Sequence, residues 1–189
     1  RFVGVTGGAG SYSANQAQAQ FLAKRGVNVL RWHTSIDDRS EDSDSINNVN
    51  DLKILEAQAT ARAMAEPGIY TNLSPFFILG FRVREQWNIP GYDAEFINNN
   101  DRQPFGIFLW NETFKDAYKA WMTELLTRPN PFHPEETPLA EDPAVMNFEI
   151  LNEDNVFFFT FSPSSYPDEQ RQKLEGVYGD WIIEKYGSI

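Results

Sequence analysis

Asn152 and Glu153 close the segment Ala144-Val-Met-Asn-Phe-Glu-Ile-Leu-Asn-Glu-Asp154. The apolar run from Val145 to Leu151 predicts a strand buried on both faces, the pattern of a parallel sheet. Side chains alternate along a strand, so Glu149, Leu151 and Glu153 share one side and Phe148, Ile150 and Asn152 the other. A carboxylate at the carboxyl end of such a strand is placed to give and take protons, and the adjacent Asn can hydrogen-bond a ligand. Glu153 is therefore the candidate general acid/base. A second strand, Val27 to His33, ends in Arg31, Trp32 and His33. A guanidinium near the end of a buried strand needs a carboxylate partner, because burying it alone is costly. Glu149 is one strand-end acid that can serve. Trp32 has the opposite parity to Arg31 and His33 and is expected to pack beneath a helix. On a third strand, Ile69 to Phe76, Tyr70 and Asn72 share a parity.

Composition excludes several classes of function. The 189 residues carry a net charge of −11, against what phosphate contacts with nucleic acid require and against binding to an anionic membrane surface. There is no Cys, which excludes disulfides and thiolate metal sites, and only two His, His33 and His133, which excludes a His-rich metal centre. No apolar run approaches the roughly 20 residues of a membrane-spanning helix. Gly7-Gly-Ala-Gly10 follows a strand but lacks the spacing and the Lys of nucleotide-binding turns. Asp37, Asp38, Glu41, Asp42 and Asp44 lack the order of a calcium loop and read as a solvated acidic loop.

The elements that must position these residues alternate. Phe2 to Thr6 is the first strand. Ser13 and Gln16 form a capping box for a helix whose apolar face includes Ala17, Phe21 and Leu22 and which Gly26 ends. A second helix spans 51–65, with Leu52, Leu55, Ala59 and Ala63 near one face and Glu66-Pro67-Gly68 as its stop. A third spans 112–127, capped by Asn111, with Phe114, Tyr118, Trp121 and Leu125 as its stripe. A fourth begins near Pro167 and ends at Tyr186-Gly187, with Leu174, Val177, Trp181 and Ile182 on its apolar side. Segments 34–50, 77–110 and 128–143 read as long excursions from a single domain spanning 1–189, the first of them expected to lie in water.

Four βα units in series imply a parallel sheet of the α/β class. A closed (β/α)8 TIM barrel needs about 250 residues, so these units amount to the first four of one.

Several motifs in register carry a resemblance. Arg1-Phe-Val-Gly-Val, Ala23-Lys-Arg-Gly-Val-Asn-Val-Leu-Arg-Trp-His33, Gly68-Ile-Tyr-Thr-Asn-Leu73, Asp142-Pro-Ala144, Asn152-Glu153 and Trp181-Ile-Ile-Glu-Lys-Tyr-Gly-Ser188 together resemble the clan A glycoside hydrolases, over nearly the whole chain. The resemblance implies a retaining enzyme on an eightfold barrel, cleaving a β-linked poly- or oligosaccharide. It also implies that Glu153 is the acid/base and that Asn152 binds the hydroxyl beside the scissile bond. That reaction needs two carboxyl groups about 5–5.5 Å apart, the second acting as nucleophile on strand 7. This chain contains no seventh strand, so the resemblance implies a missing carboxyl-terminal half of the barrel, on the same or a second polypeptide, as partner. Arg31 would then pair with that nucleophile, while Glu149 remains the alternative. His33 and Asn72 would contact sugar.

Trp87, Tyr92, Trp110, Phe157 and Phe159 are candidate platforms for the C–H face of a pyranose. No cofactor is required by this chemistry, and a secreted or periplasmic location is expected. Two other readings compete. One is a non-catalytic carbohydrate-binding or degenerate barrel that lacks the second carboxylate. The other, a lyase or aldolase, needs a strand-end Lys for a Schiff base, and none is present.

Overall fold

The computed structural model describes residues 3–7, 10–100, 102–155, 157 and 161–187. Phe2, Gly8, Ala9 and most of the aromatic segment 156–160, Phe159 included, lie outside them. The chain divides into two compact units. The first comprises 1–38, 49–77 and 120–152, and the second 39–48, 78–119 and 153–189.

The first unit is built on a parallel sheet of four strands, β1 (Gly4–Thr6), β2 (Val29–His33), β3 (Tyr70–Ser74) and β4 (Val145–Phe148), in the order β1-β2-β3-β4. The β-branched and aromatic content of β2 and β3 suits a pleated, half-buried surface. Helices α1 (Tyr12–Ala23) and α2 (Asp51–Ala65) connect the first three strands. Leu30, Trp32, Thr71 and Leu73 are buried, as the parity of Trp32 predicts. The alternate residues Val29, Arg31, His33, Tyr70 and Asn72 are only partly covered. The sheet therefore has an apolar face and a polar one.

Local chemistry sets the helix ends. The N-cap of α1 is Ser11, whose hydroxyl accepts from the Ala14 N–H, and not Ser13 as the capping box suggested. Starting the helix two residues early buries Asn15, which donates to Thr60 on α2 (3.0 Å) and to the Gly10 carbonyl. Phe21 points outward, where the Arg25 guanidinium covers its ring. On α2, capped by Asn50, the buried face runs through Ile54, Ala57, Ala61 and Met64, while Leu52 and Leu55 point outward. The small alanines allow close approach to β2, β3 and α1. Gln58, fully buried, donates to the carbonyls of Arg128 and Pro129 and so ties α2 to the turn that follows the next long helix.

β4 differs most from expectation. It stops at Phe148, and Met146 is largely exposed, so the strand is not covered on both faces. Among the described residues β4 pairs with β3 alone. A bulge lies in this pair: Thr71 faces Val145, yet Asn72 faces Asn147. The extra residue, Met146, shifts the alternation by one. Asn147 and Glu149 thereby join the polar face, and Phe148 joins Leu73 on the other.

The 77–110 excursion is structured. In the second unit it holds a 3-10 turn at Glu85–Trp87 and the helices α3 (Ala94–Asn99) and α4 (Ile107–Trp110). Their core is aromatic: Phe108 meets Phe81 and Phe114 edge-on, each at 5.3 Å between ring centres. Helix α5 (Glu112–Thr127) contributes Phe114 and Ala117 to this unit and Trp121 and Leu125 to the first. Asn111 accepts from the Thr113 N–H as a cap should, and its amide donates to Gln170 at the start of α6 (Asp168–Tyr186). The apolar stripe expected on α6 is present but uncovered, for Val177 and Trp181 are about half exposed and Gln170 is the only buried residue of the helix. Nor is the 34–50 segment wholly in water, since Ile36, Asp37 and Ser43 are buried. No described helix is long and apolar enough to cross a membrane.

Trp121 is 0% exposed and stacks on Phe76 with ring centres 5.6 Å apart. Trp121→Ala is expected to cost about 3–5 kcal/mol, read from urea denaturation. A loss below about 1 kcal/mol would show that this stack does not anchor α5 on the sheet.

Candidate active site

Parallel register sets the polar face in rows. Thr6, Arg31, Asn72 and Asn147 are successive partners across the four strands, and His33 pairs with Ser74. Beyond the end of β4 the Glu149 N–H still bonds the Leu73 carbonyl at 2.8 Å, which brings Glu149 beside Ser74. The residues at the carboxyl ends of β2, β3 and β4 thus converge.

Arg31 is the hub of this cluster. Its Nη2 donates to Glu149 Oε2 (2.6 Å), Asn152 Oδ1 (2.7 Å) and Ser74 Oγ (3.1 Å), and its Nε donates to the same Glu149 oxygen (2.9 Å). Burial alone would push the Glu149 carboxyl up. Hydrogen bonds from Ser74 and Arg31, with the charges of Arg31 and His33, outweigh it and hold the group below the usual carboxylate range. His33 Nδ1 lies 2.8 Å from Ser74 Oγ. The His33 ring is also tilted against Phe77. Asn72 sits in the row beside Arg31, and its side-chain oxygen is buried with no hydrogen-bond partner.

Asn152 is held by a parallel bridge to Phe77. Because its Oδ1 accepts from Arg31, the end of the amide left for a ligand is the N–H donor. Glu153, the next residue, belongs to the second unit. It is exposed and has a φ of 51°, a left-handed conformation that non-glycine residues seldom adopt and that clusters at functional sites. Asp154 is 5% exposed and accepts from the Gly106 N–H at 2.6 Å, while its second oxygen has no partner. Burial pushes its carboxyl up to about 6, against which the Gly106 bond acts.

The structure therefore brings together Arg31, His33, Asn72 and Asn152 within the first unit, with Glu149 in the place the sequence left open for a carboxylate. The aromatic candidates lie in the second unit and differ in what they offer. Trp87 is half-buried against Phe81, its indole N–H donated to the Ser43 carbonyl. Trp110 is 8% exposed and edge-on to Tyr166, so its ring faces are taken up by packing. Tyr92 is buried. Phe157 is 94% exposed. Ser74 and Asp154 escaped the sequence reading. Ser74 extends the Tyr70, Asn72 parity by one step, which was the available signal. Asp154 carried none, because its partner Gly106 is remote in sequence.

No protein-family model matches the sequence, and comparison with curated proteins finds no match. Among solved structures, the chain is similar to the endo-β-1,4-mannanase of Thermotoga petrophila at 17% identity and a TM-score of 0.55, over 81% of this chain and 35% of the mannanase. It also matches a GH5_18 protein from Bifidobacterium longum subsp. infantis at 12% identity and a TM-score of 0.48, over 92% and 36%. The chain spans 35% of the mannanase's length.

A carboxyl that is protonated more readily in the folded chain stabilises it at acid pH. That contribution is lost as pH rises from about 4 through 6. Asp154→Asn, which keeps an oxygen for Gly106, lacks this dependence. Relative to the native chain it is expected to gain up to about 3 kcal/mol between pH 4 and pH 7 in denaturant unfolding. Parallel stability curves would mean that Asp154 is not held in an apolar site.

With four parallel βα units in register and a matching solved barrel, the fold is a partial (β/α)8 barrel of the kind on which glycoside hydrolases such as this mannanase are built.

Proposed function

We propose that the chain carries the acid/base side of a retaining glycoside hydrolase acting on a β-linked poly- or oligosaccharide, with the nucleophile supplied from outside these residues. The observation that carries this reading is the 2.7 Å bond from Arg31 to Asn152 at the carboxyl ends of the strands, one residue before an exposed Glu153. That is the end where barrels of this architecture keep their chemistry. Asn152 presents an N–H to a substrate hydroxyl, a contact that strengthens as the transition state forms. Glu153 protonates the leaving oxygen and then deprotonates the water that resolves the glycosyl intermediate. His33 and Asn72 line the polar face and contact sugar hydroxyls. Phe157 is exposed enough to stack on a pyranose. The mannanase likeness supports a β-1,4-linked polymer as the first substrate to try.

The engagement of Arg31 by Glu149 favours a second reading. A guanidinium satisfied within the chain does not require a nucleophile opposite it, as in a degenerate barrel that binds carbohydrate without cleaving it.

The test uses the complete polypeptide that contains these residues. On β-1,4-mannan, Glu153→Gln is expected to lower the rate of hydrolysis by about 10²- to 10⁴-fold. Proton NMR of the first product released by the native protein should show the β-anomer. Unchanged turnover in the variant, or an α-anomer, defeats the assignment. Binding of mannan oligosaccharides with no hydrolysis by either form selects the second reading.

A further inference from the structure

In a chain of net charge −11, three of the Lys and Arg residues surround one cavity of the second unit. Arg82, Arg84 and Arg102 line a space of about 340 Å³, and no carboxylate is among the described residues of its wall. That volume falls in the range of small-molecule sites and is large enough for one sugar ring.

Arg84 and Arg102 are only partly used by the protein. Arg84 donates one Nη2 bond, to the Arg39 carbonyl, while its Nε is buried without a partner. Arg102 holds the hydroxyls of Ser162 and Ser164 through Nη1. Neither forms an ion pair among the described residues. Leaving a guanidinium without an anion in a partly enclosed site is unfavourable unless something else supplies the charge. Tyr92, in the same wall, is 5% exposed, and its hydroxyl also has no hydrogen-bond partner. The remaining surface is mixed. Phe96 offers an aromatic face and Asn98 an amide, a combination that suits the C–H face and the hydroxyls of a pyranose.

The wall is joined to the proposed acid/base. Pro104 belongs to it, and two residues on, the Gly106 N–H is held by Asp154, which follows Glu153. An occupant of the cavity therefore lies on the segment that anchors the acid/base loop.

We propose that this cavity binds an oxyanion carried on a sugar, a carboxylate or a sulfate ester, with Arg84 and Arg102 as its charged contacts. Planar guanidinium forks match such groups in geometry and charge. Resting on the glycoside hydrolase reading, this assigns the enzyme to an acidic β-linked polysaccharide.

The test is calorimetric titration of the native protein with glucuronate, galactose 6-sulfate, inorganic sulfate and neutral galactose. We expect one of the two acidic sugars to bind and galactose not to bind, with an affinity that falls as salt is raised. The acidic sugar that binds identifies the group. Arg102→Ala, at an exposed side chain, should weaken binding about tenfold or more, and Arg84→Met likewise. Equal binding of acidic and neutral sugars, no binding of either acidic sugar, or affinities unchanged in both variants overturns the site. Inorganic sulfate bound as tightly as the acidic sugars overturns the sugar-borne part of the proposal. If Glu153→Gln leaves hydrolysis unchanged while the acidic sugar still binds, only the catalytic reading fails. If neutral mannan is cleaved and no acidic sugar binds, only this proposal fails.

Discussion

A guanidinium on a half-covered sheet face must be satisfied by several acceptors at once, and the arrangement around Arg31 follows from that need. Its side chain and that of Glu149 are 27% and 31% exposed. Water thus screens the pair, and its value lies more in geometry than in net stability. One nitrogen of Arg31 reaches Glu149, Ser74 and Asn152, which come from β3 and from the segment after β4. The interaction fixes where these ends stand and which end of the Asn152 amide faces outward.

The two faces of the sheet divide the work. Beneath α1 and α2, close packing of Leu30, Trp32 and Leu73 with small helix residues makes a rigid base. On the other face, polar side chains lie in rows set by parallel register. The bulge at Met146 connects the two. Had β4 kept simple alternation with β3, Asn147 would have followed Val145 onto the helix-covered side, and Glu149 with it. One inserted residue places a carboxylate beside Arg31.

The second unit shows why a long segment without periodicity need not be loose. Phe81, Phe108 and Phe114 bury one another edge-on, and short helices start at Ala94 and Ile107. Buried polar side chains then lock the joints. Asn111 binds Gln170, and Gln170 binds the Pro90 carbonyl. Asp154 is the costliest of these groups, since only one of its two oxygens has a partner. Such a residue persists where the conformation it holds is worth its burial.

By itself the sequence determined the order of elements, the bounds of α2 and α5, the burial of Trp32 and the candidacy of Asn152, Glu153 and Arg31. These rest on periodicity, capping and alternation, which act over a few residues. It misplaced the cap of α1, because Ser11 and Ser13 are both competent and only the packing of Asn15 against Thr60 selects between them. It put Leu52 and Leu55 on the buried face of α2, because two adjacent stripes are apolar and the sheet covers just one. It left open whether Glu149 or a distant nucleophile meets Arg31. Only the tertiary structure shows Glu149 on Arg31, through a bulge that no local pattern announces. Partners remote in sequence, such as Asp154 with Gly106 or Asn111 with Gln170, are set by how the chain packs, and the energy that joins them is non-local.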